Sequence, residues 1–275
     1  MTSYVLTDST TMLRRSLRRM RRYPSLTLFI AGIPVVLLLL FVYVFGGTMG
    51  AGLGAPGAPG RAGAAAGSLG REAYVAYVVP GILLITAAGS AQGTAISVAM
   101  DMTAGIIARF RTMAIARASV LAGHVLGSVI QTVLATVIVM VVSVLIGFRS
   151  TTGPLEWVAA AGLIVLTAVA ISWLSVGLGM VSDSVETASN LPMFLILLPF
   201  LSSGFVPTES MPGPLQWFAE HQPFTPIIET LRGLLLGTPI GDNGLLAVAW
   251  CVVISVGGYV WARRLYERVP ARISA

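Results

Sequence analysis

Apolar positions along this chain gather into long unbroken runs rather than alternating with polar ones. Six stretches free of Asp, Glu, Arg and Lys reach the length needed to cross a bilayer, about 20 residues. They predict membrane helices over 26–46, 74–100, 118–147, 157–181, 188–206 and 243–262, each dominated by Val, Leu, Ile and Ala. Hydrocarbon offers no water to unpaired peptide groups, so each run must close its hydrogen bonds within itself as a helix. A membrane β-barrel would show alternating segments of about ten residues, and none occur. The expected fold is all-α, with six transmembrane helices in a single domain over 1–275.

Between the runs the pattern changes. Residues 8–22 read as an amphipathic interfacial helix that Asp8, Ser9 or Thr10 can cap. Leu13, Leu17 and Met20 form its apolar stripe, and Arg14, Arg15, Arg18, Arg19, Arg21 and Arg22 fill the rest. Such a helix lies at headgroup level with its Arg on anionic lipid. The Arg residues then serve as a topology anchor or as contacts to a partner. Residues 47–70 are rich in Gly, Ala and Pro and predict a flexible loop. Over 101–117, Met102, Ile106, Phe110 and Met113 recur at helical spacing and make one apolar face. A short link needs no such face, so it rests on the membrane surface or docks into a groove of another protein. Residues 207–238 hold Pro207, Pro212, Pro214, Pro223 and Pro226, yet contain two apolar helical patterns, near 214–221 and 225–236. Proline suits their first turns, and Gly237 closes the second. Neither is long enough to span, which predicts broken, re-entrant or interfacial helices at a membrane edge.

Composition sharpens the class. Apolar residues make up 56% and charged residues 10%, against about 25% charged in an ordinary soluble domain. The mean hydropathy is +0.87. Such a chain cannot clothe a soluble globule in charge, which excludes a cytosolic enzyme, a disulfide scaffold or a disordered chain. All 17 basic residues are Arg, a usage that suggests a GC-rich genome. With the N-terminus inside, 13 of these Arg fall on the cytoplasmic side, and four (Arg61, Arg71, Arg149 and Arg232) fall outside. That bias places both termini in the cytoplasm, and it accounts for the net charge of +6 without nucleic acid. The first run exceeds the core of a cleaved signal peptide, about 7–15 residues. The expected location is the cell membrane, multi-pass, in a bacterial plasma membrane.

A search for chemistry excludes more than it finds. Without Lys there is no P-loop and no Schiff base. The single Cys251 excludes internal disulfides and Cys-based metal sites. His124 and His221 are far apart in sequence, and neither a His-Glu-x-x-His nor a Gly-x-Ser-x-Gly motif occurs. No span carries Asp or Glu at its centre, which counts against a proton- or sodium-driven transporter. His124 is expected near the cytoplasmic end of its span, bonded locally. Gly89-x-x-x-Gly93 and Gly123-x-x-x-Gly127 allow close helix packing. Gln92, Thr94, Ser97, Gln131, Thr132 and Thr136 interrupt the apolar surface. They either pack helices together or line a path for an amphipathic molecule.

The whole pattern resembles the ABC-2 type permease family, and within it the daunorubicin-resistance-type drug and lipid exporter permeases. Residues 198–212 read Leu-Pro-Phe-Leu-Ser-Ser-Gly-Phe-Val-Pro-Thr-Glu-Ser-Met-Pro. The likeness continues through Leu215-Gln216, Pro223-Phe224-Thr225-Pro226 and 229–237, Glu-Thr-Leu-Arg-Gly-Leu-Leu-Leu-Gly. Residues 101–117 are similar to the family's coupling segment, with Ala114 where a Pro is usual. The resemblance covers nearly all of the chain except the Gly-rich loop.

It implies the transmembrane permease subunit of an ATP-binding-cassette exporter, with no catalytic residue, metal or cofactor on this chain. ATP and Mg would sit on a partner ATPase present in two copies, beside a second permease, the same or different. Membrane lipids surround it, and the substrate would be an amphipathic drug-like or lipid molecule moved outward, as in multidrug efflux and antibiotic resistance. Coupling to the ATPase would fall to Asp101, Met102, Ile106, Arg109, Phe110, Arg111, Met113 and Arg117. An external gate would involve Phe205, Pro207, Glu209, Met211, Pro212, Glu229 and Arg232. Glu209, Glu229 and Arg232 either gate substrate or cap and pair within their own element. The alternative classes are a membrane-embedded enzyme, for which no polar catalytic cluster is visible, and a regulatory membrane subunit without transport activity.

Overall fold

The computed structural model describes residues 24–46, 64–103 and 117–268, and every regular element among them is helical. Helix α1 covers Pro24–Leu40 and runs into a π-helical turn, Phe41–Phe45. Helix α2 is Ala64–Thr103, α3 is Arg117–Ile146 and α4 is Pro154–Val181. Short helices α5 (Val185–Asn190) and α6 (Met193–Leu197) lead into a 3-10 turn, Leu198–Leu201. A second 3-10 turn, Thr208–Ser210, precedes α7 (Gly213–His221), α8 (Phe224–Leu236) and α9 (Asn243–Arg268). The interfacial helix expected over 8–22 lies outside the described residues.

Among the described residues four helices are long and apolar enough to cross a membrane: Gly70–Thr103, Leu121–Ile146, Pro154–Val181 and Asn243–Glu267. Ile30–Phe45 and Val185–Leu201 are shorter apolar stretches. The run read as one helix over 188–206 is broken in the structure. Pro192 stands at the start of α6 and Pro199 inside the following 3-10 turn. Proline has no N–H to donate and its ring crowds the preceding turn, so the helix stops and restarts. The chain then turns back through Ser202 and Gly204 toward Phe205. Residues 207–238 form the two proline-started helices α7 and α8, and Gly237 ends α8 at φ 73° with its N–H on the Gly233 carbonyl at 2.8 Å.

Helix α2 is the axis of the bundle. Of its most apolar stretch 78% is buried, against 33% in α3 and 22% in α9. Val75, Val78, Val79, Ile82, Leu83, Leu84 and Ile85 all belong to the core. Helices α3 and α9 instead leave Val137, Val141, Leu245 and Val253 exposed, faces that suit hydrocarbon. The lower end of the bundle is where α2 stops and α3 starts. The upper end is where residues 198–237 lie. There the 147–153 link caps α8, with Ser150 Oγ donating to the Leu235 carbonyl at 2.7 Å and Thr151 Oγ1 to that of Leu236 at 2.8 Å.

Of the glycines expected to pack helices, Gly89 and Gly93 make no close approach, and other glycines do. A Cβ at Gly89 would meet nothing within 4 Å. One at Gly179 would lie 2.6 Å from the Ala95 carbonyl oxygen, and one at Gly258 would lie 2.9 Å from the Leu174 nitrogen. These two positions let α4 press on α2 and α9 press on α4. Gly258→Ala should therefore cost about 1–3 kcal/mol through overpacking against backbone. Gly257→Ala, next to it but in open space, should be neutral or slightly stabilising. Unfolding midpoints in mixed detergent micelles check this, and equal midpoints for the two variants would refute the packing assignment.

Candidate functional site

At the lower end, the last turn of α2 carries a carboxylate into the bundle. Asp101 is 6% exposed. A buried charge is costly unless it is paired, and Asp101 Oδ2 lies 3.3 Å from His124 Nε2 on α3. Met102 packs on a lower apolar cluster of Val98, Leu121, Val125, Val176, Met180, Ala262 and Tyr266. The first two residues expected to couple thus hold α2 to its neighbours. Arg117 opens α3. Ile106, Arg109, Phe110, Arg111 and Met113 lie outside the described residues.

In the middle, hydroxyl groups form a buried ladder across three helices. Thr94 Oγ1 of α2 lies 2.6 Å from Ser128 Oγ of α3, and Thr132 Oγ1 of α3 lies 2.6 Å from Ser90 Oγ of α2. Ser172 Oγ of α4 donates to Ser128 Oγ at 2.8 Å. All five side chains are at most 6% exposed. Thr94 and Thr132 therefore pack helices together, which decides between the two uses left open for them by their sequence. Gln92 does the same for a different pair of elements, with Nε2 donating to the Ser189 carbonyl of α5 at 2.8 Å.

At the upper end the central group is Arg232 of α8, 8% exposed. Its guanidinium pairs with Glu229 Oε1 at 2.5 Å, one turn back on the same helix. It also donates to the carbonyls of Ser203 at 2.8 Å and Tyr77 at 3.2 Å. Its carbon lies 3.9 Å from the centre of the Tyr77 ring, a desolvated cation–π contact on the order of 2 kcal/mol. The Tyr77 hydroxyl closes the set by donating to the Ser203 carbonyl at 2.9 Å. Ser203 belongs to the non-helical turn after Leu201, whose carbonyls have no helical partner, so Arg232 and Tyr77 supply the missing donors. Phe205 is buried beside it, stacked on Phe200 with centroids 4.9 Å apart and tilted against Phe41 at 4.7 Å.

Of the residues expected at the gate, the structure brings Phe205, Glu229 and Arg232 to this buried corner. Glu209 and Pro212 sit on an exposed turn, and Pro207 and Met211 beside them are partly exposed. Tyr77 and Ser203 were not visible from sequence. Their only sequence signal is Arg232 within a largely apolar helix, where Glu229 alone cannot satisfy the five donors of a guanidinium.

The geometry defines a multi-pass helical membrane protein with polar fastenings at both ends of one central helix. The chain belongs to the ABC-2 type transporter family, whose profile matches residues 7–236, and it is a transmembrane permease subunit of an ABC exporter. It is 29% identical over 248 residues to the daunorubicin resistance ABC transporter permease protein DrrB1 of Streptomyces coeruleorubidus, covering 90% of this chain and 81% of that one. It is 27% identical over 191 residues to the probable doxorubicin resistance ABC transporter permease protein DrrC of Mycobacterium tuberculosis, covering 68% and 69%.

The ladder generates a test. Ser128 receives two side-chain hydrogen bonds from other helices, each worth about 0.6 kcal/mol and at most about 1.7 in a membrane protein. Ser128→Ala should cost about 1–2 kcal/mol. Ser175→Ala, which loses a bond only to the Ile171 carbonyl of its own helix, should cost less. Denaturation of both variants in micelles reads the difference, and a Ser128→Ala midpoint equal to that of native protein would refute the ladder.

Proposed function

We propose that this permease moves amphipathic, drug-like molecules outward across the cell membrane, using ATP hydrolysed on a separate ATPase subunit that also holds the Mg. The observation that carries this reading is the 101–117 link. It has an apolar helical face (Met102, Ile106, Phe110, Met113) between two long helices whose facing ends are fastened by Asp101 and His124. A face so placed is a docking ridge: it offers a groove-filling stripe and passes any push straight into α2 and α3. Arg109, Arg111 and Arg117 beside it suit acidic groups on the rim of the partner's groove, where they steer association more than they hold it. The names of the relatives, both drug-resistance permeases, support a drug-like substrate.

In the full assembly two such permeases, the same or different, stand on two ATPase subunits. The four long helices cross the membrane, and α1 with the broken 185–201 stretch completes six crossings. Both termini and the 101–117 link face the cytoplasm, supported by the Arg asymmetry. Residues 207–238 then lie outside, over the substrate path between the two permeases. ATP-driven closure of the ATPases favours an outward-open arrangement by binding it better than the resting one.

Phe110→Asp and Met113→Asp should each lower the amount of ATPase subunit that co-purifies with the permease at least about tenfold, the scale of losing a buried apolar anchor. Export should fall with it. An unchanged complex with unchanged export would overturn the docking assignment.

A further inference from the structure

Helix α2 runs without interruption from Ala64 to Thr103, so Tyr77 and Asp101 ride on one rod, about 36 Å apart along its axis. Close to Tyr77 the rod has its one internal proline, Pro80, where a backbone bond is missing and bending is easiest. Next to it, Gly81 lies against Gly204 so closely that a Cβ there would come within 2.9 Å of the Gly204 carbonyl oxygen. Arg232 therefore grips α2 at its weakest point, and it grips the 202–205 turn at the same time through Ser203.

The fastening is also incomplete. Arg232 Nε and Ser203 Oγ are buried without a hydrogen-bond partner, whereas all five hydroxyls of the ladder below are bonded. A buried ion pair stabilises less than apolar side chains of equal volume would, and a partly satisfied network is costlier still. An arrangement that gives Arg232 Nε an acceptor would recover part of that cost.

We propose that Tyr77 and Arg232 are a positioning pair that carries the movement of α2 into α8 and the 202–205 turn during export. Tilting α2 at its lower end carries the upper part of the same rod, Tyr77 included, and Arg232 takes the turn and α8 with it. This rests on the reading that the 101–117 link receives the movement of the ATPase, and the test separates the two.

The test uses the assembled exporter in proteoliposomes, with Cys251→Ser as background and Ser203→Cys as reporter; the carbonyl that Arg232 holds is untouched by that change. A membrane-impermeant maleimide labels position 203 with and without ATP trapped by vanadate. With the native pair, labelling should be slow without nucleotide and at least about fivefold faster when trapped, the scale of an ordinary coupling between sites. Arg232→Lys keeps the charge but loses the fork, and should give the same rate in both states. Tyr77→Phe keeps the ring and loses only the hydroxyl, and should lie between. The double variant should be no worse than Arg232→Lys alone, since the two groups act as one. Doxorubicin moved per ATP hydrolysed should fall about tenfold in Arg232→Lys, while ATPase turnover and co-purifying ATPase stay within about twofold of native. Native nucleotide dependence in Arg232→Lys would overturn the pair, as would no nucleotide dependence with the native pair, or losses that merely follow the amount of complex. Phe110→Asp is the control for the underlying reading: it should abolish nucleotide dependence by losing the ATPase, and if it does not, the docking assignment fails while the pair is judged on Arg232→Lys.

Discussion

A peptide group in hydrocarbon must find its hydrogen bond within the protein, because no water will supply one. Long helices meet that demand by themselves, and α2, α3, α4 and α9 do so. The demand becomes acute where the chain leaves helical geometry, after Pro199. The carbonyl of Ser203 is satisfied only because Arg232 and Tyr77 reach it from two other elements. The upper end of the molecule is organised around that need. One cation, supplied by a short helix, meets one turn and one side of the central helix.

The same constraint explains which parts of the fold were legible in the sequence. A run such as 118–147 has one way to satisfy its backbone, so its helix could be read directly. Helix α8 was legible for local reasons as well, since a proline start and the left-handed Gly237 mark its ends within the sequence itself. The break at Pro192 and Pro199 was harder to read. The run from 188 to 206 is as apolar as a true span, and hydropathy does not register a missing N–H. Tyr77 escaped because its partner lies 155 residues away, and nothing in a tyrosine within a helix marks such a match. The closest helix contacts escaped in a similar way. Gly89 and Gly93 carry the familiar spacing, but it is Gly179 and Gly258, without that spacing, that bring one long helix against another's backbone.

Function follows from how these elements are joined. The central helix of this permease is fastened differently at its two ends. Below, Asp101 meets His124 and closes the bundle where α2 ends and α3 begins. Above, Arg232 binds a turn and a short helix that are not themselves long enough to be fixed by the bilayer. A rod fastened at both ends passes a displacement of one end to the elements held at the other. Interfaces between packed elements switch between discrete states rather than deforming smoothly.

The hydroxyl ladder has a bearing on how the sequence specifies alignment. Ser90 and Thr94 are one turn apart on α2, and Ser128 and Thr132 are one turn apart on α3. Every hydroxyl can both give and receive a proton. Sliding α3 by a single turn, about 5.4 Å, would set Thr94 opposite Thr132 or Ser90 opposite Ser128, one rung in place of two. The ladder therefore numbers the two helices only by the loss of a rung. The carboxylate–imidazole meeting of Asp101 and His124 has no counterpart one turn up or down, and it adds a second index mark to the pair.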